Sequence, residues 1–568
     1  MKKYFLFMSV LASLFLAGCS QEEIAPNGED NGSGEANTSY MAVNLMSSDA
    51  TGTRAASGYE DGSTAENKVN AVRFYFFTAN GAIAPVKLLN GSYVNYYDWT
   101  SDISQSDDKD TDDTESVLAA TIVISTKDGD KLPQGIAAVL NPPTIGGTPL
   151  LGTASMDLNT LKGKVTDFAT TDLTSETKFV MFNSVYGKDN AEVCAVPIAS
   201  NNLQKTADDA KKPENVVKIY VERSVAKVKV ALGTDVASAS SDKLALKDKE
   251  GHDLKVGGEQ VYLKLGGWSL TAETTEGRLV KAIDPTWTSD WWNGTGAFAH
   301  RSFWAINSQN AANKYPVSYN GIETPFTNAK YTNENALDYD PQSPIKRTKV
   351  ILKGQLCKSD GSNFTIVRHL GAHFADTYSE TPASNLPALK ANILSQLTAN
   401  GYNYYSGNAT SRTGLSASDL QIVIATQETE ENSKNNCYVY AQLTTEAAAK
   451  TWYTSSDKTV TTTVAATVIN ENLKNKDIVD WALVWKNGMT YYYYEIIHNG
   501  TGETATKGVV RNHIYDTKVT KIAGLGTPVY DPTKVIYPEK PDENDHYIAA
   551  EINILSWRVV SNDYALEW

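Results

Sequence analysis

Seven histidines and four cysteines carry most of the reactive chemistry available to this chain of 568 residues. Their spacing decides which chemistries are open. His369 and His373 stand four positions apart, an interval that puts two imidazoles on one face of a helix. No Glu follows His369, so the His-Glu-x-x-His pattern of a zinc protease is absent, and the intervening Leu370-Gly371-Ala372 is not strongly helical. Cys194, Cys357 and Cys437 are scattered and show no Cys-x-x-Cys or Cys/His metal spacing. The acidic run Asp107–Asp113 lacks the Gly and terminal Glu of a calcium-binding EF-hand loop and reads as a solvated loop. There is no Gly-x-Ser-x-Gly elbow, no P-loop and no Gly-x-Gly-x-x-Gly after a strand. Carboxylates are plentiful, but sequence alone does not set two of them roughly 5–9 Å apart, as glycoside hydrolysis requires. The expectation is a protein without catalytic residues, cofactor or bound metal.

Cys19 differs from the other cysteines in its position. It closes the run Leu16-Ala17-Gly18-Cys19, which follows Lys2, Lys3 and the apolar stretch Tyr4–Ala17. A basic start, an apolar segment and small residues before a cleavage point form an export signal, and the apolar run is too short to span a bilayer. The Leu-Ala-Gly-Cys sequence resembles the lipobox of bacterial lipoproteins. That resemblance implies removal of residues 1–18, acylation of the Cys19 thiol and attachment to a membrane. Two or more acyl chains are enough for stable anchoring.

The elements that would carry such a protein are mostly strands. The chain holds 30 Tyr and many Thr and Val, which suit a pleated, half-buried surface. Strand-like runs occur at Ala71–Phe77, Val217–Val221, Val225–Val230, Thr348–Leu356, Thr459–Val468, Tyr491–Ile497 and Glu551–Val560. Several are bounded by turn signals such as Asn80-Gly81 and Asn487-Gly488. The best helix signal is Pro387–Leu397, with Pro in its first turn, Ser384 or Asn385 upstream as a cap, and Leu389, Ile393 and Leu397 on one face. The fold expected is mostly β, with two β-sandwich domains. The formal net charge of −15 disfavours nucleic acid and anionic membrane surfaces as electrostatic partners.

Two terminal features frame these domains. Residues Ser20–Asn37 are polar and read as a tether. After it, Met41, Val43 and Leu45 alternate with smaller or polar residues, as in a half-buried strand. A second polar stretch, Ser47–Asn67, contains Arg54 followed by Ala55. At the other end, Ile548, Ala550, Ile552 and Ile554 fall on one face of a strand, and Leu555, Trp557 and Val559 on the other. A strand apolar on both faces needs cover on both. Burial of five such side chains would contribute roughly 8–15 kcal/mol gross. From the residues alone this is equally the last strand of its own domain or a strand offered to a neighbour. Trp287, Trp291 and Trp292, with Trp268 and Trp304 near them in sequence, could stack on sugar rings, but core filling is the simpler reading.

Several segments together resemble the fimbrillins of Gram-negative anaerobes, the subunits of type V pili, and the minor-fimbrium (Mfa-type) subunits in particular. They are the lipobox, Arg54-Ala55, Val221–Val228, Tyr331–Asn335, Val510–Tyr515, Gly524–Pro528 and the terminal strand ending near Trp557. The resemblance implies two transthyretin-like β-sandwich domains behind a lipoprotein signal and a propeptide. On that reading residues 1–18 are the signal and 19–54 a lipidated propeptide with a removable strand. Residues 55–235 are the N-terminal sandwich, and 236–568 the C-terminal sandwich ending in a donor strand at about 547–568. It further implies export to the outer membrane, for which Glu22 and Glu23 resemble a surface-export signal. An Arg-specific protease then cuts after Arg54, and the subunit polymerises into an extracellular fimbrium that supports adhesion. The implied partners are other copies of the chain and accessory tip or anchor subunits. The donor-strand residues singled out are Ile552, Ile554, Leu555, Trp557 and Val559. The rival reading is a surface lipoprotein that binds glycans through the Trp cluster.

Overall fold

The computed structural model describes residues 37–48, 62–282, 313–335, 347–425, 438–498, 508–538, 546–555 and 559–562, less a few short internal stretches, and of 546–562 the backbone only. Cys19, Arg54, Ala55, Trp557 and the cluster Trp287, Trp291, Trp292 and Trp304 lie outside the described residues, as does most of the acidic run Asp107–Asp113.

The first core is bounded by a nine-stranded sheet. Its strands include β1 (Asn37–Ser48), β2 (Val72–Phe77), β3 (Thr114–Thr126), β4 (Gly135–Leu140), β5 (Met181–Asn183) and β6 (Val217–Arg223). The order runs Tyr96–Trp99, β2, β4, β5, β6, β1, β3, Gln105–Asp107, with Val196–Pro197 also on β4. β2 and β4 are buried at every position, so they read as continuous apolar runs rather than alternating ones. Phe74, Phe76, Ile136, Val139, Phe182 and Ile219 all belong to this first core.

The apolar core changes over between Val225 and Ala226. The second core lies between two five-stranded sheets. One holds β7 (Ala226–Leu232), β9 (Lys330–Thr332), β15 (Ile514–Gly524), β16 (His546–Leu555) and β17 (Val559–Asn562), in the order β9, β7, β15, β16, β17. The other holds β8 (Tyr262–Thr271), β10 (Lys349–Cys357) and β14 (Met489–Glu495), flanked by Leu244–Ala245 and Thr527–Pro528. Trp268 is wholly buried here and donates its indole N–H to the Pro325 carbonyl at 3.1 Å, so this Trp is a core residue.

A third core interrupts the second sandwich between Val367 and Val484. There β11 (Ile366–His369), β12 (Tyr438–Leu443) and β13 (Ala482–Trp485) form a sheet with Ala372–Ala375 and Leu420–Ile424. Helix α3 (Pro387–Ala399) buries Leu389, Ile393 and Leu397, the face expected from their spacing. Its cap is neither Ser384 nor Asn385. Leu386, at φ 46°, turns the chain in, and the Asp376 carboxylate accepts the Leu389 N–H at 2.9 Å. An acceptor so far back along the chain leaves no local signal. The run Thr459–Val468 is not one strand. Only Thr463–Val464 pairs, and helix α4 (Ala466–Lys474) follows, burying Ile469 and Leu473 four apart. The β-branched residues favoured a strand locally, and packing against β12 overrode them.

Candidate assembly site

β1 is an inner strand of its sheet although it precedes the polar Arg54 stretch. It runs antiparallel to β3, from Asn37 opposite Thr126 to Ser48 opposite Thr114. On its other side it runs parallel to β6, from Val43 opposite Val217 to Ser47 opposite Val221. Upstream of that pairing, Tyr40 exchanges both backbone hydrogen bonds with Gln204, at 2.7 and 2.8 Å. Met41, Val43 and Leu45 have no exposed surface, as the alternation requires. On the opposite face Ala42 is only 4% exposed, and the short helix α2 (Ala207–Ala210) lies alongside β1. Burial of the three inward side chains brings roughly 5–9 kcal/mol gross. Withdrawal of β1 would open a slot with two unpaired sheet edges and an apolar floor.

The C-terminal strand is paired within the second sandwich. β16 pairs antiparallel with β15 of its own chain, Ile552 opposite Thr517, Ile554 opposite Tyr515 and Leu555 opposite Ile514. Val559 in β17 turns back opposite Leu555. Within a single chain, then, Ile552, Ile554, Leu555 and Val559 belong to an outer hairpin of the second sandwich.

Immediately beyond the Arg54 stretch the chain is fixed by charge rather than by a ladder. Helix α1 (Thr64–Asn67) opens with a capping box: the Ser63 hydroxyl accepts the Glu66 N–H, and Glu66 accepts the Ser63 N–H at 2.6 Å. The buried Glu66 carboxylate lies 2.9 Å from Lys227 Nζ and accepts the Tyr331 hydroxyl at 2.7 Å. Burial alone would raise its pKa. The Ser63 N–H, Lys227 and Tyr331 outweigh this and bring it down to about 2. Arg223 donates to the Glu66 carbonyl at 3.1 Å, to the Asn67 side chain, and to Asn512 Oδ1 at 3.3 Å. Close by, Lys281 Nζ donates to Glu222 at 2.8 Å, and burial pushes the lysine pKa down and the glutamate pKa up. Arg511 grips Glu334 with two N–H groups and donates to the Leu279 carbonyl at 3.0 Å.

The segments Val221–Val228, Tyr331–Asn335 and Val510–Tyr515 therefore converge on one buried polar junction between the first and second cores. Glu66 with Lys227, Glu222 with Lys281 and Glu334 with Arg511 are paired within it, which fits them to hold strands in place. Sequence reading missed Glu66 and Lys281. For Glu66 a signal existed, since Ser63-x-x-Glu66 is a capping-box pattern. For Lys281 there was none.

The rejected metal candidate does not assemble. His369 and His373 sit in an antiparallel hairpin, His369 opposite Ala372 and His373 opposite Arg368. Alternation puts their side chains on opposite faces, His369 buried beside the Asp480 carbonyl at 3.1 Å and His373 exposed. Asp248, Glu250 and His252 bring ligand atoms within 4.8 Å at an exposed turn. Asp248 accepts the His252 N–H there at 2.8 Å, as local turns commonly do. No helix among the described residues is long and apolar enough to cross a membrane.

Residues 484–563 match the family described as the C-terminal part of fimbrillin, major fimbrial subunit protein type IV. The matched stretch runs from the end of β13 through β17, so the C-terminal part of this chain is similar to that of the fimbrillins. Solved structures similar to the chain include a putative cell adhesion protein from Bacteroides eggerthii, with 12% identity over 93% of this chain and 98% of that one, at a TM-score of 0.34. A fimbrilin (FimA) from Porphyromonas gingivalis shows 10% identity over 92% and 98%, at 0.33. The tip fimbrial protein Mfa3 of the same organism shows 10% identity over 90% and 99%, at 0.28. No curated protein matches the sequence.

Proposed function

We propose that this chain is a structural subunit of a cell-surface fimbrium, without catalytic activity, that assembles by strand exchange and supports adhesion. It is exported as a lipoprotein anchored through Cys19 to the outer membrane, and an Arg-specific protease cuts it between Arg54 and Ala55. The freed segment 19–54 takes β1 with it, and the C-terminal strand of the next copy fills the slot between β3 and β6. The observation that carries this reading is the position of β1. A strand upstream of a polar, Arg-containing stretch is an inner member of a sheet, so cleavage after Arg54 frees a strand whose loss leaves two edges side by side. The fimbrillin match over the terminal strands supports the same reading. Strand addition would restore both the ladders and the apolar contacts. Accessory tip or anchor subunits would join by the same joint. We take the division into two domains, residues 55–235 and 236–568, to accompany the change of core near Val225–Ala226.

The test is to cleave purified chain with an Arg-specific protease and look for denaturant-resistant ladders on gels, beside a chain lacking Tyr547–Trp568. Ladders from the full chain, and a folded monomer from the shortened one, are expected. A shortened chain that still forms ladders would refute donation by this strand. Retention of Cys19-containing peptides in purified filaments would refute the cut.

A second reading keeps glycan binding as an added role. Trp481 and Tyr440 stack at 5.6 Å with planes 28° apart, and both are half-exposed on the inserted third unit. Half-exposed aromatic surface beside a polar group, here Lys476 Nζ at 4.2 Å from the Trp481 ring centre, is a surface on which a sugar could stack.

A further inference from the structure

Resting on strand exchange as the assembly mode, we propose the register of the joint: Tyr547–Ile552 of one subunit takes the places of Tyr40–Leu45 in the next, running in the same direction. Tyr40-Met41-Ala42-Val43-Asn44-Leu45 and Tyr547-Ile548-Ala549-Ala550-Glu551-Ile552 carry the same order of residue types. In each a Tyr is followed by an apolar residue, Ala, an apolar residue, a polar residue and an apolar residue. The C-terminal strand thus repeats the pattern of the strand it would replace.

Burial in the slot separates this register from its neighbours. A slip by one residue would turn Glu551 and Asn553 toward the core and is excluded by the two-residue period of a strand. A slip by two keeps the alternation, laying Ile552-Asn553-Ile554 over Val43-Asn44-Leu45. That register puts Glu551 at the place of Ala42, which is only 4% exposed. An unpaired carboxylate there is costly. In the proposed register Ala549 occupies that small site instead. Glu551 then falls at the half-exposed place of Asn44, opposite Ala119 on β3 and beside Lys218 on β6. Both Ala119 and Lys218 are exposed, so the carboxylate stays in water and faces an ammonium. Glu551 and Ala549 are the residues that set the register, with Lys218 as the complementary charge.

Paired cysteines read this directly in full-length chain after cleavage at Arg54. Glu551→Cys together with Ala119→Cys should convert the ladder into one held by disulfides under mild oxidation. Asn553→Cys with Ala119→Cys should not, and each single variant serves as its control. Cross-linking through Asn553 in place of Glu551 would overturn the register in favour of the slip by two. Ladders that form but cross-link through neither position would overturn both the register and the direction. Absence of ladders in the parent chain would refute strand exchange itself, and the register with it. A charge exchange gives a second readout: Lys218→Glu should slow ladder formation severalfold at low salt, and Glu551→Lys in the same chain should restore it. Equal rates in all three chains would refute the placement of Glu551.

Discussion

β1 and α1 flank the same polar stretch and are held by opposite means. β1 is held by backbone ladders to β3 and β6 and by three buried apolar side chains. Any strand with the right alternation can supply those contacts. α1 is held by Glu66, whose carboxylate meets Lys227 and Tyr331 and whose carbonyl meets Arg223. These are directional and charged contacts between named residues of one chain. A cut at Arg54 thus separates a part that a neighbour can replace from a part that it cannot. The new N-terminus would be tied down at Glu66, so removal of β1 need not loosen the start of β2.

The sharpest way to break this comparison is to remove β1 without offering a substitute. Cleaved chain lacking Tyr547–Trp568, freed of residues 37–48, should melt well below the uncleaved form. A loss of roughly 5 kcal/mol in a domain of this size lowers the melting temperature by about 10 °C or more. Unchanged melting of the first domain, followed by calorimetry, would mean that β1 contributes little.

Glu66→Ala should come next. It leaves the largely enclosed Lys227 ammonium without its carboxylate, at a cost of about 2 kcal/mol or more. The loss should appear in both uncleaved and cleaved chains, because the clamp does not involve β1. Denaturant midpoints of the two forms check this. A loss confined to the uncleaved chain would contradict the separation of the two anchors.

Acid sharpens the contrast. The Glu66 carboxyl titrates near 2 in the folded chain against an ordinary value of 4.5. A carboxyl with a depressed pKa stabilises the fold above its unfolded value and loses that contribution as pH falls from about 4.5 toward 2. The span corresponds to about 3 kcal/mol. Glu66→Gln should flatten that part of the stability–pH curve, while Val43→Ala in β1 should shift the curve downward without changing its slope. The same slope in Glu66→Gln and the parent would remove Glu66 from the account.

The smallest effect on assembly is expected at Trp481. Trp481→Ala lies on the third unit, away from both anchors, and should leave ladders and melting nearly unchanged while lowering retention on immobilised glycans. Equal retention by variant and parent would dismiss the second reading.

How far these regions were legible beforehand differs for the same physical reason. The β1 alternation could be read from Met41, Val43 and Leu45 because a strand's two-residue period is a local property. The mostly-β character and the face of α3 were legible likewise. Glu66 had only its capping pattern, and the convergence of Val221–Val228, Tyr331–Asn335 and Val510–Tyr515 had no local signal. Their partners lie far away along the chain, as Arg511 and Glu334 do. The cap of α3 by Asp376 and the helix at Ala466–Lys474 escaped for that reason too: contacts made by folding decided them.

Periodicity and turn chemistry, by themselves, determined the mostly-β character, strands such as Val72–Phe77 and Val217–Arg223, the alternation of β1 and the two-faced apolar character of the terminal strand. Only the tertiary structure decided that β1 is an inner strand, that Ala42 is buried, and that Glu66 meets Lys227 and Tyr331. Side-chain alternation follows from the geometry of the residues next to each other. Sheet order and the pairing of buried charges follow from which distant segments exclude water together, and no local pattern encodes that.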